Sequence, residues 1–162
     1  YTDVPEINYG FGISLGWKGF DASLFMQGVG NVTRIIGGDA LYGASDNIER
    51  LGQIYADVAE KRWTTSNPNP RLSMSKVENN LQPSTYWQRN MSFLRLKNVE
   101  IGYTLPKHIY KRLGMSSIRV YAQGVNLLTF SKFKLWDPEL DSNYGNIYPQ
   151  MRTITLGLNL NF

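Results

Sequence analysis

Apolar and polar residues alternate along residues 150–162. One set of positions begins with Arg152 and is apolar from there on: Ile154, Leu156, Leu158, Leu160 and Phe162. The positions between them are mostly small or polar. A period of two over this length predicts a β-strand with one apolar face and one polar face. The segment is about twice as long as a strand of a soluble protein, and suits a strand that crosses a membrane between lipid and a wet lumen.

The same alternation near the start of the chain predicts a hairpin of two strands, at about 7–17 and 20–30. Lys18 and Gly19 between them are typical of a tight turn. Each arm has about ten residues, which is enough to cross a hydrocarbon layer at a tilt of about 45°. In the second arm Phe25 breaks the alternation, because it falls on the otherwise polar face.

Two more strands are predicted at about 93–105 and 117–128. In the first of these, the apolar row is clear from Val99 onwards, but Arg95 and Lys97 share its parity. Two explanations stay open for that half of the strand: a bulge shifts the alternation, or the strand extends above the bilayer. In the second strand, the even-numbered residues are expected to face outward.

Two long connections separate these strands, at about 31–90 and 129–149. Helical spacing within the first predicts a short helix in 47–63. Both long connections fall at one end of the predicted sheet and both short connections fall at the other. Bacterial outer-membrane barrels have this asymmetry, with long extracellular loops and short periplasmic turns. The pattern therefore predicts an all-β fold, in which five antiparallel strands form part of a transmembrane barrel.

The composition agrees with this interpretation and excludes several others. The 162 residues are 42% hydrophobic with a mean hydropathy of −0.32, and no run is long and apolar enough for a transmembrane helix. The net charge of +4 is spread along the chain, so nucleic-acid binding is not expected. The absence of cysteine excludes a disulfide scaffold and thiolate metal sites. Ten Tyr, seven Phe and four Trp suit the aromatic girdles of a barrel and also a sugar-binding surface.

Several segments, taken in order along the chain, resemble one family. They are 5–11 (PEINYGF), 17–21 (WKGFD), 62–68 (RWTTSNP), 92–99 (SFLRLKNV), 102–106 (GYTLP), Asn126-Leu127, Asp137-Pro138-Glu139, Tyr148-Pro149 and Arg152. Together they resemble the SusC/RagA group of TonB-dependent outer-membrane transporters. No single segment is diagnostic, but the resemblance covers essentially the whole chain.

The resemblance implies a barrel of about 22 strands, closed by a plug, in the outer membrane of a Gram-negative bacterium. It also implies import of bulky nutrients, such as glycans or peptides, with energy from the TonB complex and with a SusD-like surface lipoprotein as partner. Five strands cannot close such a barrel, and open edges are unfavourable in lipid. Residues 1–162 are therefore interpreted as its C-terminal part, whose plug and remaining strands belong to the rest of the assembly.

The strand assignments place five side chains at the edges of the membrane. Trp17, Phe20, Tyr103 and Phe162 are expected at the periplasmic rim, where aromatic rings favour the interface with lipid headgroups. Arg152 is expected near the outer rim. There its guanidinium either reaches the headgroup phosphates or only marks the start of the last strand.

Three polar side chains, Asp21, Glu100 and Asn159, are expected to face the lumen. Two carboxylates on different strands could also form a glycosidase pair, but nothing in the sequence sets the distance between them. The polar lining of a lumen explains both. No nucleophile with an adjacent base is evident, so no catalytic residue and no enzymatic activity are expected.

Six aromatic residues fall in the two long connections: Trp63, Tyr86, Trp87, Phe130, Phe133 and Trp136. Exposed rings of this kind contact sugars or protein partners. The alternative is that they pack the long connections together, since a connection of this length needs a core of its own.

Neither a metal nor another cofactor is expected. Asp137, Glu139 and Asp141 alternate in a loop that loosely resembles a calcium loop, but the spacing of a helix–loop–helix site is absent. A solvated turn is the preferred interpretation, with calcium as the alternative. His108, the only histidine, has no cysteine or carboxylate cluster near it in the sequence.

The main alternative to a transporter is a soluble carbohydrate-binding β-domain, against which the strand length argues.

Overall fold

The computed structural model describes residues 2–38, 41, 56–61, 63–68, 79 and 82–162. The chain divides into two compact units. We call the first the loop unit; it consists of Tyr1–Val4, Val32–Met91 and Phe133–Pro149. We call the second the sheet unit; it consists of Pro5–Asn31, Ser92–Lys132 and Gln150–Phe162.

The sheet unit is an antiparallel sheet of five strands. In chain order they are β1 (Ile7–Trp17), β2 (Phe20–Gly30), β5 (Phe93–Thr104), β6 (Ser117–Ser131) and β7 (Thr153–Asn161). The five strands occur in the sheet in the same order as along the chain, β1-β2-β5-β6-β7. The loop unit contains the other two described strands, β3 (Thr33–Ile35) and β4 (Gln88–Asn90), which pair with each other.

The pairing register brings the apolar rows of all five strands onto one face. Leu15, Ala22, Ile101, Ala122 and Leu156 lie side by side across the sheet. The large members of this row are well exposed, with Leu156 at 81%. A soluble monomer rarely exposes so much contiguous apolar surface, so this face requires an apolar environment.

A second row of paired residues starts on β1 at Ser14, next to Leu15, and runs along the opposite face of the sheet. It consists of Ser14, Ser23, Glu100, Gln123 and Thr155. All five side chains form hydrogen bonds readily, which suits contact with water. The sheet therefore has one apolar and one polar face over its whole width.

A bulge in β5 accounts for the irregular alternation in the first half of that strand. Leu96 and Asn98 both pair with β2 and β6, whereas Lys97 between them is skipped. The single extra residue reverses the parity, so Leu96 joins the apolar face and Arg95 turns to the polar face. Of the two explanations left open by the sequence, a bulge is the one observed.

A second bulge lies at the same level in β6 and corrects two predicted boundaries. Asn126 and its neighbour Leu127 are skipped in the pairing with β5, and Asn126 adopts a left-handed backbone with φ of 55°. Because two residues are added, the even-numbered side chains after the bulge stay on the apolar face. β6 continues to Ser131, past the expected end at 128. Phe130 is consequently a strand residue that pairs with Leu94 rather than part of a loop. The β6–β7 ladder ends at Val125 and Thr153, so the last strand begins at 153 instead of 150.

The short connections of the sheet unit are compact. Lys18 and Gly19 both have positive φ, 48° and 91°, as a two-residue hairpin turn requires. Between β5 and β6 the chain forms helix α2 (Lys107–Tyr110) and a 3-10 turn (Lys111–Leu113). Gly114 follows in the left-handed conformation and ends this helical segment.

The loop unit has hydrophobic side chains of its own. Its buried apolar residues are Val32, Ile36, Leu41, Trp87, Met91, Phe133 and Leu140. Backbone hydrogen bonds from Ile36 to Trp87 (3.0 Å) and from Met91 to Val32 (2.9 Å) extend the β3–β4 pair. The first long connection therefore contains local structure beyond the short helix predicted from its sequence.

Helix α1 (Ala56–Lys61) lies within the segment 47–63, where helical spacing predicts a helix. Residues 47–55 and 62 of that segment lie outside the described residues. Trp63 follows the helix and is not part of it. Within the described parts of the chain, no helix is both long and apolar enough to cross a membrane.

Close packing at Gly28 leads to a testable prediction about the fold. A Cβ atom at Gly28 would collide with the Phe93 carbonyl oxygen and with the ring of Tyr9, whose hydroxyl donates to the same carbonyl (3.1 Å). We expect Gly28→Ala to lower the free energy of unfolding by about 1–3 kcal/mol, because backbone of β5 must move.

Gly16→Ala is the matched control, since a Cβ there would have its nearest neighbour at 3.9 Å. Its effect should stay within about 0.5 kcal/mol. Urea unfolding of the two variants and of the unaltered protein, under the same conditions, measures both effects. Equal effects of the two substitutions would contradict the tight approach at Gly28.

Candidate functional site

The polar face of the sheet unit brings three charged side chains from three strands together. Arg119 on β6 points its guanidinium at Asp21 on β2 and at Glu100 on β5. Its Nε donates to Asp21 Oδ1 at 3.0 Å, and its Nη2 donates to Asp21 Oδ2 and to Glu100 Oε1, the latter at 2.6 Å. We call these three residues the ion-pair cluster.

Small residues leave room for the guanidinium to cross the sheet. Gly102 lies between Asp21 and Tyr121 in the pairing register, and a Cβ there would collide with the Arg119 side chain. Tyr121 in turn lies over Gly157 of β7, where a Cβ would collide with its ring. The Arg119 guanidinium carbon is 5.1 Å from the centre of the Tyr121 ring, within the range of a cation–π contact.

The cluster connects strands and does not resemble a catalytic pair. One guanidinium engages both carboxylates, so Asp21 and Glu100 are not arranged as an acid and a base on either side of a sugar. Its formal charge is −1, and its side chains are partly exposed, between 23% and 41%. Within the described residues, no group of three or more His, Cys, Asp and Glu side chains could hold a metal ion.

The sequence pattern places Asp21 and Glu100 on the polar face, as the register has them, but it does not identify their common partner. The alternation in its own strand also places Arg119 on the polar face. That shared face is the feature of the sequence from which the contact with the two carboxylates could have been inferred. Asn159 lies opposite Arg119 on β7 and is exposed on the same face.

Phe25 is the aromatic exception on the polar face. Its ring lies along the sheet against the neighbouring strand, where Cβ atoms at Gly10 and Gly12 would be 3.3 Å and 3.4 Å from it. The side chain remains 40% exposed. The glycines of β1 therefore provide the surface on which this ring rests.

Aromatic residues form a row on the apolar face at the end with the short connections. Trp17 pairs with Phe20, and Phe20 pairs with Tyr103, with the last two ring centres 4.4 Å apart. Phe162 follows β7 at the same end and is 85% exposed. Arg152 precedes β7 at the opposite end and is exposed.

The aromatic residues of the loop unit that the sequence analysis names differ in burial. Trp87 and Phe133 are buried, at 4% and 6% exposure. Trp87 makes an edge contact with Tyr86 (4.9 Å between ring centres), and Phe133 makes one with Trp136 (4.8 Å). Trp63 and Tyr86 are exposed. Packing thus accounts for the buried rings, and the exposed ones stay candidates for partner or substrate contact.

The acidic loop of the loop unit uses its carboxylates in local structure. Asp137 Oδ1 accepts a hydrogen bond from the Glu139 N–H at 3.0 Å, which forms a turn. Asp141 pairs with Arg34 of β3. The Ser142 hydroxyl oxygen accepts from two following backbone N–H groups. His108 lies on α2 and is exposed.

Comparison with known proteins relates the chain to one group of receptors. No family model matches the chain. TonB-dependent receptor P3 of Formosa agariphila is 32% identical over 98% of this chain, and receptor P26 of the same organism is 34% identical over 99%. TonB-dependent receptor SusC of Bacteroides thetaiotaomicron is 40% identical over 49% of the chain. The chain belongs to the SusC-like TonB-dependent receptors.

Solved structures of this receptor family agree with the sequence relationship. The RagAB peptide importer in its 'open-open' state matches 98% of the chain with a TM-score of 0.75 and 30% identity. Another structure of the RagAB peptide transporter matches 99% with a TM-score of 0.77 and 29% identity. These relatives are named as receptors and transporters, not as enzymes. The chain spans 16% and 17% of the length of receptors P3 and P26.

The ion-pair cluster leads to a prediction about stability. Arg119→Gln leaves the Asp21 and Glu100 carboxylates close together without their shared cation, so their repulsion should destabilise the sheet. The triple variant D21N/E100Q/R119Q removes that repulsion and should recover part of the loss. The urea concentration at the midpoint of unfolding, measured on the complete reconstituted receptor, shows which of the two variants is more stable.

Lys132→Gln is the control for the loss of one positive charge, because Lys132 is exposed just after β6. It should leave the midpoint unchanged. A triple variant as unstable as Arg119→Gln would show that the cluster does not act through charge balance.

The neighbouring aromatic residues of the loop unit provide a second prediction. Trp87→Ala should lower the local stability of the loop unit by about 3–5 kcal/mol, because it opens a cavity at a buried position. Tyr86→Ala changes the adjacent, exposed ring and should cost less than about 1 kcal/mol. Native-state proteolysis of the loop unit in the complete receptor measures both. Similar rates of cleavage would argue against a packed core around Trp87.

Proposed function

We propose that the sheet unit is a section of the wall of an outer-membrane β-barrel that imports bulky nutrients. The observation that supports this most directly is the two-faced sheet, whose register aligns exposed apolar side chains on one face and polar side chains on the other. Lipid outside and water inside require this arrangement. A soluble carbohydrate-binding β-domain would instead bury the face that contains Leu156 and Ile101.

The aromatic row supports an orientation for this wall. Trp17, Phe20 and Tyr103 lie at the end with the short connections, and rings of this kind favour the membrane interface. We assign that end to the periplasm, so the two long connections, 31–90 and 129–149, are proposed to be extracellular. Phe162 belongs to the same rim, and Arg152 to the outer rim near the lipid headgroups.

The edges of the sheet support a larger closed barrel. Among the described residues, β1 pairs only with β2 and β7 pairs only with β6. An unpaired edge within hydrocarbon leaves backbone groups unsatisfied, at several kcal/mol each. We therefore propose that other strands of the same protein pair with both edges, in a barrel of about 22 strands that encloses a plug.

The remaining proposals concern partners and cargo. We propose that the TonB complex supplies energy and that a SusD-like lipoprotein covers the extracellular side. Exposed rings of the loop unit, Trp63 and Tyr86, are the proposed contacts with that lipoprotein or with cargo. The RagAB structures are of a peptide importer, so a peptide is one proposed cargo. A glycan is the other, since the resemblance of the sequence to the SusC/RagA group implies either. Transport by this wall needs no bound cofactor or metal.

Two adjacent residues of β7 test the membrane assignment. Leu156→Arg should lower the free energy of unfolding by about 2–4 kcal/mol if Leu156 lies near the bilayer midplane, because it places a charge in lipid. Thr155→Arg changes the neighbouring residue on the polar face, and should cost less than about 1 kcal/mol. Both variants of the complete receptor are unfolded with urea from phospholipid vesicles. A larger loss of unfolding free energy in Thr155→Arg than in Leu156→Arg would exclude lipid on the apolar face.

A further inference from the structure

The end of the sheet unit with the short connections is strongly basic. The segment 105–116 contains Lys107, His108, Lys111 and Arg112 and no acidic residue. Lys18 adds a further basic side chain in the β1–β2 turn. All five side chains are exposed. Among the described residues, none of the five forms an ion pair. We call them the basic rim.

Backbone hydrogen bonds hold the basic rim in a defined position. The Thr104 N–H donates to the Gly19 carbonyl at 2.7 Å, which joins the β1–β2 turn to the start of the next connection. The Leu105 N–H donates to the Ile118 carbonyl at 2.9 Å, and the Met115 N–H donates to the Tyr110 carbonyl at 3.1 Å. Because Tyr110 is buried, the helical segment is anchored while its charged side chains remain outside.

The basic rim lies directly beside the aromatic row. The Lys18 ammonium group is 4.9 Å from the centre of the Trp17 ring, and Trp17 pairs with Phe20. The nearest carboxylates along the strands, Asp21 and Glu100, are already bound by Arg119 on the polar face. They are therefore engaged with another cation and do not neutralise the basic rim.

We propose that the basic rim binds the headgroups of anionic phospholipids in the leaflet that surrounds this end of the sheet. The inference rests on the proposed membrane function and adds a ligand to it. Aromatic rings set the level of the lipid–water interface, and cations just beyond that level lie at the height of the phosphates. Ammonium and guanidinium groups attract anionic headgroups there, whereas zwitterionic headgroups have no net charge to attract.

The opposite end of the sheet offers a matched control. Lys132 and Lys134 are exposed as well, but the segment that follows them contains Asp137, Glu139 and Asp141. The same loss of two positive charges can therefore be made at either end. The variants are K107Q/K111Q at the basic rim and K132Q/K134Q as the control, with K107R/K111R to test whether charge alone is sufficient.

The experiment uses the complete receptor, purified in detergent and titrated with phosphatidylglycerol or with phosphatidylcholine. Native mass spectrometry counts the lipids bound at each concentration. K107Q/K111Q should weaken the binding of phosphatidylglycerol by roughly ten-fold and leave that of phosphatidylcholine unchanged. K107R/K111R and K132Q/K134Q should bind phosphatidylglycerol as the unaltered protein does. Added salt should weaken its binding to the unaltered protein more than to K107Q/K111Q.

Three results would overturn the inference. They are unchanged phosphatidylglycerol binding by K107Q/K111Q, an equal loss in K132Q/K134Q, and a parallel loss of phosphatidylcholine. In the first case, anionic headgroups are not the ligand of the basic rim. Insertion of the receptor into vesicles is measured separately: insertion without a preference for phosphatidylglycerol refutes the lipid site alone, and failure to insert refutes the proposed barrel.

Discussion

The fixed pairing register between neighbouring strands is the constraint on which this structure depends. Side chains alternate with a period of two, so a slip by one residue would exchange the two faces of a strand. Leu156 would then point to the polar side and Thr155 to the apolar side. The Lys18–Gly19 turn, the bonds around Tyr110 and the ion-pair cluster all hold the strands against such a slip. A slip of β6 by one residue would place the charged Arg119 on the apolar face.

Alternation alone predicts most of the sheet, because each strand is long enough to show its period clearly. It fails at the level of the two bulges. An extra residue in β5 reverses the parity at Lys97, and two extra residues in β6 conceal a strand that continues to Ser131. Bulges depend on the pairing of two chain segments, so the pattern of one segment shows only an irregularity. The position of Phe130 follows from the same cause.

The candidate site shows the same limit. Parity places Asp21 and Glu100 on one face, but their convergence on Arg119 depends on the register of three strands and on the space above Gly102. In the loop unit, the aromatic content indicates a core or a contact surface without distinguishing them. Trp87 and Tyr86 are adjacent in sequence, yet one is buried and the other exposed. Long connections lack the periodicity from which burial is predicted.

The ring of Phe25 has a consequence for the space on the polar side of the sheet. An aromatic side chain that stood upright would project into that space by the full length of its ring. Phe25 instead rests against Gly10 and Gly12, so its ring runs along the neighbouring strand. Tyr121 lies over Gly157 in a similar way. In the proposed barrel, glycines on neighbouring strands would thus accommodate large aromatic residues with little loss of clearance for a bulky solute.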